Sequence, residues 1–262
     1  MFEEHAEVAF NRAVARDTRL MGLKSSAIAA SARPGQFVML RVRGGVDPLL
    51  RRPFSICGVQ EKLFLILYRV VGKGTGIMAA DIREGDRLPV LGPLGRGFQV
   101  PAGDGPFLLV AGGIGIAPLL FLASTLDPGT LHFMAGFGSA VEIIPVREIL
   151  GPAVSPEIST DDGSAGYCGL VTDLLEKRLR QSGVEGASLF TCGPKPMLKR
   201  IALMAEARGM SCQASLESAM ACGLGACQGC AVKVSAGEER SYHHVCRDGP
   251  VFPARAVDWE EL

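Results

Sequence analysis

Three cysteines fall within nine residues in "CGLGACQGC", Cys222 to Cys230. Packing alone does not ask for this, since a buried cysteine behaves as a small apolar residue. The spacing C-x4-C-x2-C suits thiolates that share one inorganic centre. It is the plant-type [2Fe–2S] spacing, which needs a fourth, more distant cysteine. Cys246, in "HHVCRDG", stands sixteen positions beyond Cys230 and supplies it. The candidate metal ligands are therefore Cys222, Cys227, Cys230 and Cys246. Gly223, Gly225 and Gly229 let the loop curl so that backbone N–H groups point at sulfurs and tune the potential. Structural zinc is the rival, because four cysteines also bind zinc. Zinc sites usually use two separated C-x2-C pairs, and here the second pair is absent. Cys57, Cys168 and Cys212 have no partner spacing and read as core residues. His243 and His244, being adjacent, point apart and read as a surface turn rather than as ligands.

A cluster of this kind needs something to exchange electrons with, and two glycine-rich turns offer a place for it. "GGIGIAP", Gly112 to Pro118, follows a strand-like run and opens a helix. Gly112, Gly113 and Gly115 let a backbone approach a pyrophosphate, and a helix N-terminus offers unpaired N–H groups. Pro118 stands where the last glycine of G-x-G-x-x-G would be, and proline is well tolerated in a first helical turn. The bland alternative is a tight strand-to-helix turn. "FTCGP", Phe190 to Pro194, ends another predicted strand, and ligands of open parallel sheets bind outside such ends. Gly193 and Pro194 would line that site, and the soft thiol of Cys192 would lie against a nicotinamide ring. The alternative for Cys192 is an ordinary buried strand cysteine.

Two further segments suit a flat phosphorylated ligand. In "RRPFSIC", Arg51 to Cys57, Arg52 can clamp a diphosphate and Ser55 can bond a ring edge. In "YRVVGKGTG", Tyr68 to Gly76, glycines and a threonine can cradle phosphate on backbone N–H groups. Each segment alone also reads as an ordinary strand end and loop. Glu142, after the run "LHFMAGF", can meet a ribose hydroxyl, and no arginine stands immediately beside that strand end in sequence. This favours NAD over NADP, although Arg147 is close.

These residues must be positioned by three kinds of chain. Residues 1–101 are punctuated by Gly and Pro between strand-like runs, "GQFVMLRV" and "KLFLILYRVV", as in a small antiparallel barrel. Residues 102–210 alternate strand and helix, as in a parallel sheet with crossover helices. Residues 211–262 hold the cysteines and many glycines. The fold class expected is multi-domain β plus α/β: an antiparallel β-barrel, a Rossmann-like domain and a small C-terminal module.

Composition sets limits. The 262 residues carry 27 Lys plus Arg and 27 Asp plus Glu, so net charge is zero and nucleic acid is not an expected partner. The N-terminus has no basic segment followed by an apolar one, so a cytoplasmic location with reduced thiols is expected. "FLLVAGGIGIAPLLFLASTL" is uncharged over twenty residues. Its central glycines and proline mark strand, turn and helix rather than a membrane span.

In order, "RRPFSI", "GGIGIAP" and "TCGPKPML" resemble the ferredoxin–NADP reductase superfamily over residues 1 to about 210. "SLESAMACGLGACQGCAVKV" and "VCRDGPVF" extend the likeness over the whole chain, to the electron-transfer subunits of class 1B dihydroorotate dehydrogenase. The resemblance implies FAD in the barrel, NAD in the α/β domain and a [2Fe–2S] cluster in the C-terminal module. The family's FAD contacts fall on Arg52, Pro53, Phe54 and Ser55, on Leu67, Tyr68 and Arg69, and on Gly74 and Thr75. It implies a partner chain that oxidises dihydroorotate at FMN, two of each chain together, and electron flow through the cluster and FAD to NAD in pyrimidine biosynthesis. The same parts occur in FAD/[2Fe–2S] subunits of ferredoxin-dependent nicotinamide oxidoreductases and hydrogenases. Cys246 is closer to the other three cysteines than in a plant ferredoxin, so the likeness to ferredoxin is confined to the loop.

Overall fold

The computed structural model describes residues 1–102, 105–236 and 239–262. The first hundred residues alternate apolar and polar side chains over short runs, and a closed barrel is what buries one face of each. Its elements are β1 (Phe2–Ala15), β2 (Thr18–Lys24), the short helix α1 (Ser26–Ser31), β3 (Phe37–Leu40), β4 (Arg52–Gln60), β5 (Leu63–Arg69), α2 (Lys73–Ala80) and β6 (Arg87–Leu94). Six antiparallel strands close in the order β1-β2-β5-β4-β3-β6. Met21, Leu23, Val38, Ile56, Phe64 and Ile66 fill the interior.

The chain then changes period. β7 (Phe107–Gly112) leads through a single 3-10 turn into α3 (Ile116–Ala123), which is buried along its length. This is the twenty-residue uncharged stretch. Among the described residues, no helix is long and apolar enough to cross a membrane. There follow β8 (Leu131–Phe137), α4 (Val146–Leu150), β9 (Glu157–Thr160), β10 (Tyr167–Cys168), α5 (Val171–Arg178), β11 (Ser188–Cys192), α6 (Lys195–Glu206) and β12 (Cys212–Ser215). The C-terminal stretch adds the hairpin β13 (Ala231–Ala236) and β14 (Glu239–His244), then β15 (Val251–Pro253).

The large sheet runs β10-β9-β8-β7-β11-β12-β15, parallel except at β15. It therefore includes β12 and β15, two strands from the C-terminal fifty residues. Three contiguous cores result. One fills the barrel. A second joins barrel residues Leu20, Leu65 and Leu67 to α3 and one sheet face. The third joins Phe37 and Met39 of the barrel to α5, α6, Cys230, Val232 and Cys246. Cysteine loop, barrel and sheet thus share apolar cores.

Two readings need correction. Cys168 is exposed on β10, the edge strand of the sheet. His243 and His244 end β14 rather than forming a turn, because the hairpin pairing continues to Ala231↔His244.

Candidate functional site: three regions around one chamber

The cysteine loop is irregular chain between β12 and β13. Gly223 and Gly225 have φ of +74° and +80°, in the left-handed region that glycine enters freely. These turns aim N–H groups at sulfur. Leu224 N–H donates to Cys222 Sγ at 3.3 Å, Cys227 N–H to the same sulfur at 3.5 Å, and Gly225 N–H to Cys246 Sγ at 3.1 Å. Cys230 Sγ meets Cys246 Sγ at 3.3 Å. Gly229 proves not to be needed for the curl: a Cβ there would make only ordinary contact, 3.8 Å from Cys227 Sγ. The third left-handed residue is Gln228, at +58°.

Cys246 is placed by its neighbours. Val245 N–H donates to Cys230 O at 3.0 Å, tying the end of the hairpin to the loop. Asp248 accepts from His244 N–H at 2.8 Å and from Arg247 Nε at 3.2 Å, closing the turn that carries Cys246. Cys230 and Cys246 are buried, Cys222 is half-buried and Cys227 is exposed. Burial pushes the Cys246 thiol up to about 12, with Cys230 adding to the rise. Burial also acts to raise Cys222, but the N–H groups of Leu224 and Cys227 outweigh it and bring the thiol to about 6. Among the described residues, no three His, Cys, Asp or Glu side chains close into a finished coordination shell. What is preformed is a buried sulfur pair, a ready thiolate and N–H donors around them. Thiols with N–H donors on the sulfurs fit a thiolate-bound centre, and the C-x4-C-x2-C spacing with Cys246 fits a [2Fe–2S] cluster rather than zinc.

Beside the loop lies a chamber of about 500 Å³. The barrel supplies Arg52, Pro53, Phe54, Ser55, Leu67, Tyr68, Arg69 and Thr75 to its wall, eight of the nine FAD contacts that the resemblance implies. The ninth, Gly74, stands behind Arg52: a Cβ there would fall 2.6 Å from Arg52 Nε. Glycine is what lets the guanidinium lie across the start of α2. Thr75 Oγ1 accepts from Val71 N–H at 3.0 Å and Gly72 N–H at 3.2 Å, fixing the turn into that helix. A guanidinium beside a helix N-terminus is a diphosphate cradle. Tyr68 donates to Asn11 Oδ1 at 3.0 Å and meets Phe54 edge-to-face at 6.0 Å between ring centres, so the aromatic wall is fixed.

The other walls were not foreseen. Ile114 and Ala117 come from the "GGIGIAP" turn, and Ser215, Leu216, Glu217, Ser218 and Met220 from the chain entering the cysteine loop. The signal for them was present: this segment follows β12, at the carboxyl edge of a parallel sheet. Glu217 opens onto the chamber and is exposed, and the protein atoms around it disfavour its charge and raise its carboxyl above the usual range.

The two glycine turns are packed back to back. β7 and β11 are neighbours, with Cys192 opposite Ala111. A Cβ on Gly115 would fall 2.5 Å from Cys192 O, and one on Gly193 2.9 Å from Gly112 N. A Cβ on Gly112 would meet Pro194 Cδ at 2.7 Å. Gly113, with φ of +54°, has open space around its α-carbon. Pro118 is buried in the first turn of α3. The Cys192 thiol points inward: it is 2% exposed and lies behind the chamber wall. Burial pushes it up, the Glu217 charge adds to this, and a hydrogen bond with Ser215 opposes it.

Glu142 does not stand alone at the strand end. Arg69 Nη2 donates to it at 2.5 Å, and Arg16 approaches at 4.0 Å. The two arginines come from the ends of β5 and β1, so nothing near "LHFMAGF" in sequence announces them. Arg147 donates instead to Ser155 Oγ at 3.3 Å.

The family model "Iron-sulfur cluster binding domain of dihydroorotate dehydrogenase B" matches residues 217–258, which hold all four cysteines. The chain is 43% identical over 260 residues to the dihydroorotate dehydrogenase B (NAD(+)) electron transfer subunit of Geobacillus thermodenitrificans, covering 97% of this chain and 98% of that one. The chain belongs to the family of these electron transfer subunits. The relative of the same name from Caldanaerobacter subterraneus is 42% identical over 224 residues, 86% of each chain. A solved NADH-dependent reduced ferredoxin–NADP oxidoreductase structure superposes with a TM-score of 0.85 at 31% identity, over 98% of this chain and 91% of that one. Phthalate dioxygenase reductase, at 19% identity and a TM-score of 0.62, covers 94% of this chain and 77% of its own, and shares the fold. The barrel, α/β sheet and cysteine module are thus the family's architecture.

Proposed function

We propose that this chain is the electron transfer subunit of an NAD-dependent dihydroorotate dehydrogenase B. The observation that carries this reading is the chamber itself. Its walls come from the barrel, the glycine turn after β7 and the segment leading to the cysteines. FAD held by those residues would supply two-electron exchange with a nicotinamide and one-electron exchange with a [2Fe–2S] cluster.

The chain's own residues bind and orient. Arg52, with Gly74 leaving it room, holds the flavin diphosphate at the start of α2. Ser55 and Tyr68 flank the ring. Gly112, Gly113, Gly115, Gly193 and Pro194 shape the floor on which a nicotinamide dinucleotide rests, with Cys192 just beneath. Cys222, Cys227, Cys230 and Cys246 hold the cluster, and the N–H groups of Leu224, Cys227 and Gly225 stabilise charge on sulfur. The division of labour follows the sequence: residues 1–101 for FAD, 102–210 for NAD, 211–262 for the cluster, with β12 and β15 anchoring the last to the sheet.

The dihydroorotate step belongs to a catalytic partner chain carrying FMN, two of each chain forming a heterotetramer in the cytoplasm. The family name of the relatives supports a catalytic partner. The likeness to the ferredoxin–NADP oxidoreductase keeps one other partner in view, a ferredoxin-dependent complex. The test is reconstitution with the FMN chain: dihydroorotate should then reduce NAD⁺. Failure of that transfer, with ferredoxin supporting it instead, selects the other partner.

A further inference from the structure

Glu142 lies in the turn after β8, at the carboxyl edge of the sheet, yet both its cationic partners belong to the barrel. Arg69 Nη2 donates to Oε2 at 2.5 Å and Arg16 Nη2 stands 4.0 Å from Oε1. Arg16 N–H also donates to Val141 O at 2.9 Å, holding the same turn by its backbone. The Glu142 side chain is 17% exposed and that of Arg69 35%, so the pair is partly shielded from water. Gly138 leaves room for it, since a Cβ there would fall 3.1 Å from Oε1. Arg69 at the same time lines the chamber. One ion pair therefore spans from the chamber wall to the edge on which a dinucleotide would rest.

We infer that Arg69 and Glu142 form a positioning pair, which fixes the angle at which a nicotinamide carried by the α/β domain meets the flavin. This rests on the FAD and NAD reading above. The core contacts here, Leu20, Leu65 and Leu67 against α3 and the sheet, are apolar and non-directional, and the other polar links on this side are the Arg16 N–H to Val141 O bond and the exposed pair Arg12–Glu148 at 3.6 Å. Apolar contacts hold two bodies together without setting their angle. A short charge-assisted hydrogen bond does set it. Hydride transfer is sensitive to that angle, because a misplacement of about 1 Å can cost about 100-fold in rate. Arg69 is bound to Oε2 and Arg16 faces Oε1, so the role inferred for Glu142 is alignment, and ribose binding is the alternative that the test separates from it.

The test uses the full FAD-loaded chain with Glu142→Gln, which keeps shape and removes charge. ADP-ribose affinity is measured by calorimetry, FAD content by visible absorbance, nicotinamide stacking by the long-wavelength charge-transfer band, and flavin reduction by stopped flow. FAD content and ADP-ribose affinity should stay within about twofold, while reduction by NADH slows about tenfold and the band weakens. Glu142→Asp should fall between. A loss of ADP-ribose affinity of about tenfold or more would instead make Glu142 a ribose ligand and overturn the inference. So would an unchanged rate and band. If Glu142→Gln sheds FAD, Glu142→Asp carries the test, since it keeps the charge but withdraws it from Arg69: slower reduction at unchanged ADP-ribose affinity supports the pair, and no change overturns it. A wild-type chain that NADH cannot reduce overturns the nicotinamide reading and the pair with it. A wild-type chain that is reduced, with a variant equally fast, overturns the pair alone.

Discussion

Gly223 of the cysteine loop stands directly on Met39 of the barrel: a Cβ at position 223 would fall 2.7 Å from Met39 Cγ and 3.2 Å from Leu94 Cδ1. Met39 lies two residues along β3 from Phe37, so both point to one face of the strand. Phe37 lines the chamber. The loop that carries Cys222 and the wall of the flavin chamber are therefore joined through a single strand. Close approach of this kind is what electron transfer between two bound centres requires.

Gly223→Ala tests that contact. An alanine at φ +74° bears a backbone penalty of about 1–2 kcal/mol, and Met39 must also move. The loop should shift, and iron content per chain should fall while FAD content holds. Iron analysis beside the flavin absorbance measures both. Full iron content would show that the loop has slack here.

Arg52 and Gly74 make a paired prediction. Arg52→Ala removes a charged hydrogen bond to phosphate, which costs about 1.5–3 kcal/mol, or about 10- to 100-fold in FAD affinity. Gly74→Ala keeps the guanidinium but places a methyl 2.6 Å from its Nε, so it should weaken FAD by displacement. Flavin fluorescence titration of the apoprotein gives both constants. Wild-type affinity in the two variants would remove the cradle from this corner.

Local chemistry made much of this legible. C-x4-C-x2-C with Cys246, the turn "GGIGIAP" and the run "RRPFSI" each name their own residues. The strand and helix periods of "LHFMAGF" and "KPMLKRIALMAEARG" name their elements. What was hidden depends on residues far apart in sequence. Glu142 has a carboxylate suited to a ribose, but Arg69 and Arg16 reach it across 73 and 126 positions. Ser215 to Met220 enter the chamber only because β12 joins the sheet beside β11. Cys168 looked apolar enough for a core and lies at a sheet edge instead. Spacing along the chain carries no information on any of these.

Glu217 should mark the chamber by its pH dependence. Its carboxyl is raised by the protein atoms around it. Between the ordinary glutamate value, about 4.3, and that raised value, the folded protein binds more protons than the unfolded chain. Stability therefore falls as pH rises through this window, and ionised Glu217 remains unfavourable above it. Glu217→Gln removes the burden. The side chain is exposed, so water screens much of this effect; the variant should melt only slightly higher than wild type near neutral pH, with the difference shrinking to nothing by about pH 4. A difference that persists unchanged at low pH would point to packing rather than to charge.

Cys246→Ser separates the relay from the fold. Cys246 is 1% exposed, accepts from Gly225 N–H and touches Cys230. Serine is isosteric enough to keep this packing, but at neutral pH its hydroxyl is a protonated alcohol and a poor iron ligand. The cluster should be lost or badly weakened. The chamber residues and the two glycine turns lie outside the substitution, so NADH should still reduce an artificial dye through bound FAD. On the function proposed above, transfer between NADH and a catalytic partner chain should collapse, because the one-electron step would have lost its centre. Dye assay, coupled assay and iron analysis on one preparation give the contrast. Loss of FAD and dye reduction as well would make the cysteine module structural to the whole chain, which the shared core of Cys246 with Phe37 and Met39 makes physically reasonable. Full iron content with intact coupled transfer would remove Cys246 from the ligand set. Cys212 would not easily replace it, since it begins β12 while the cysteine loop follows the other end of that strand.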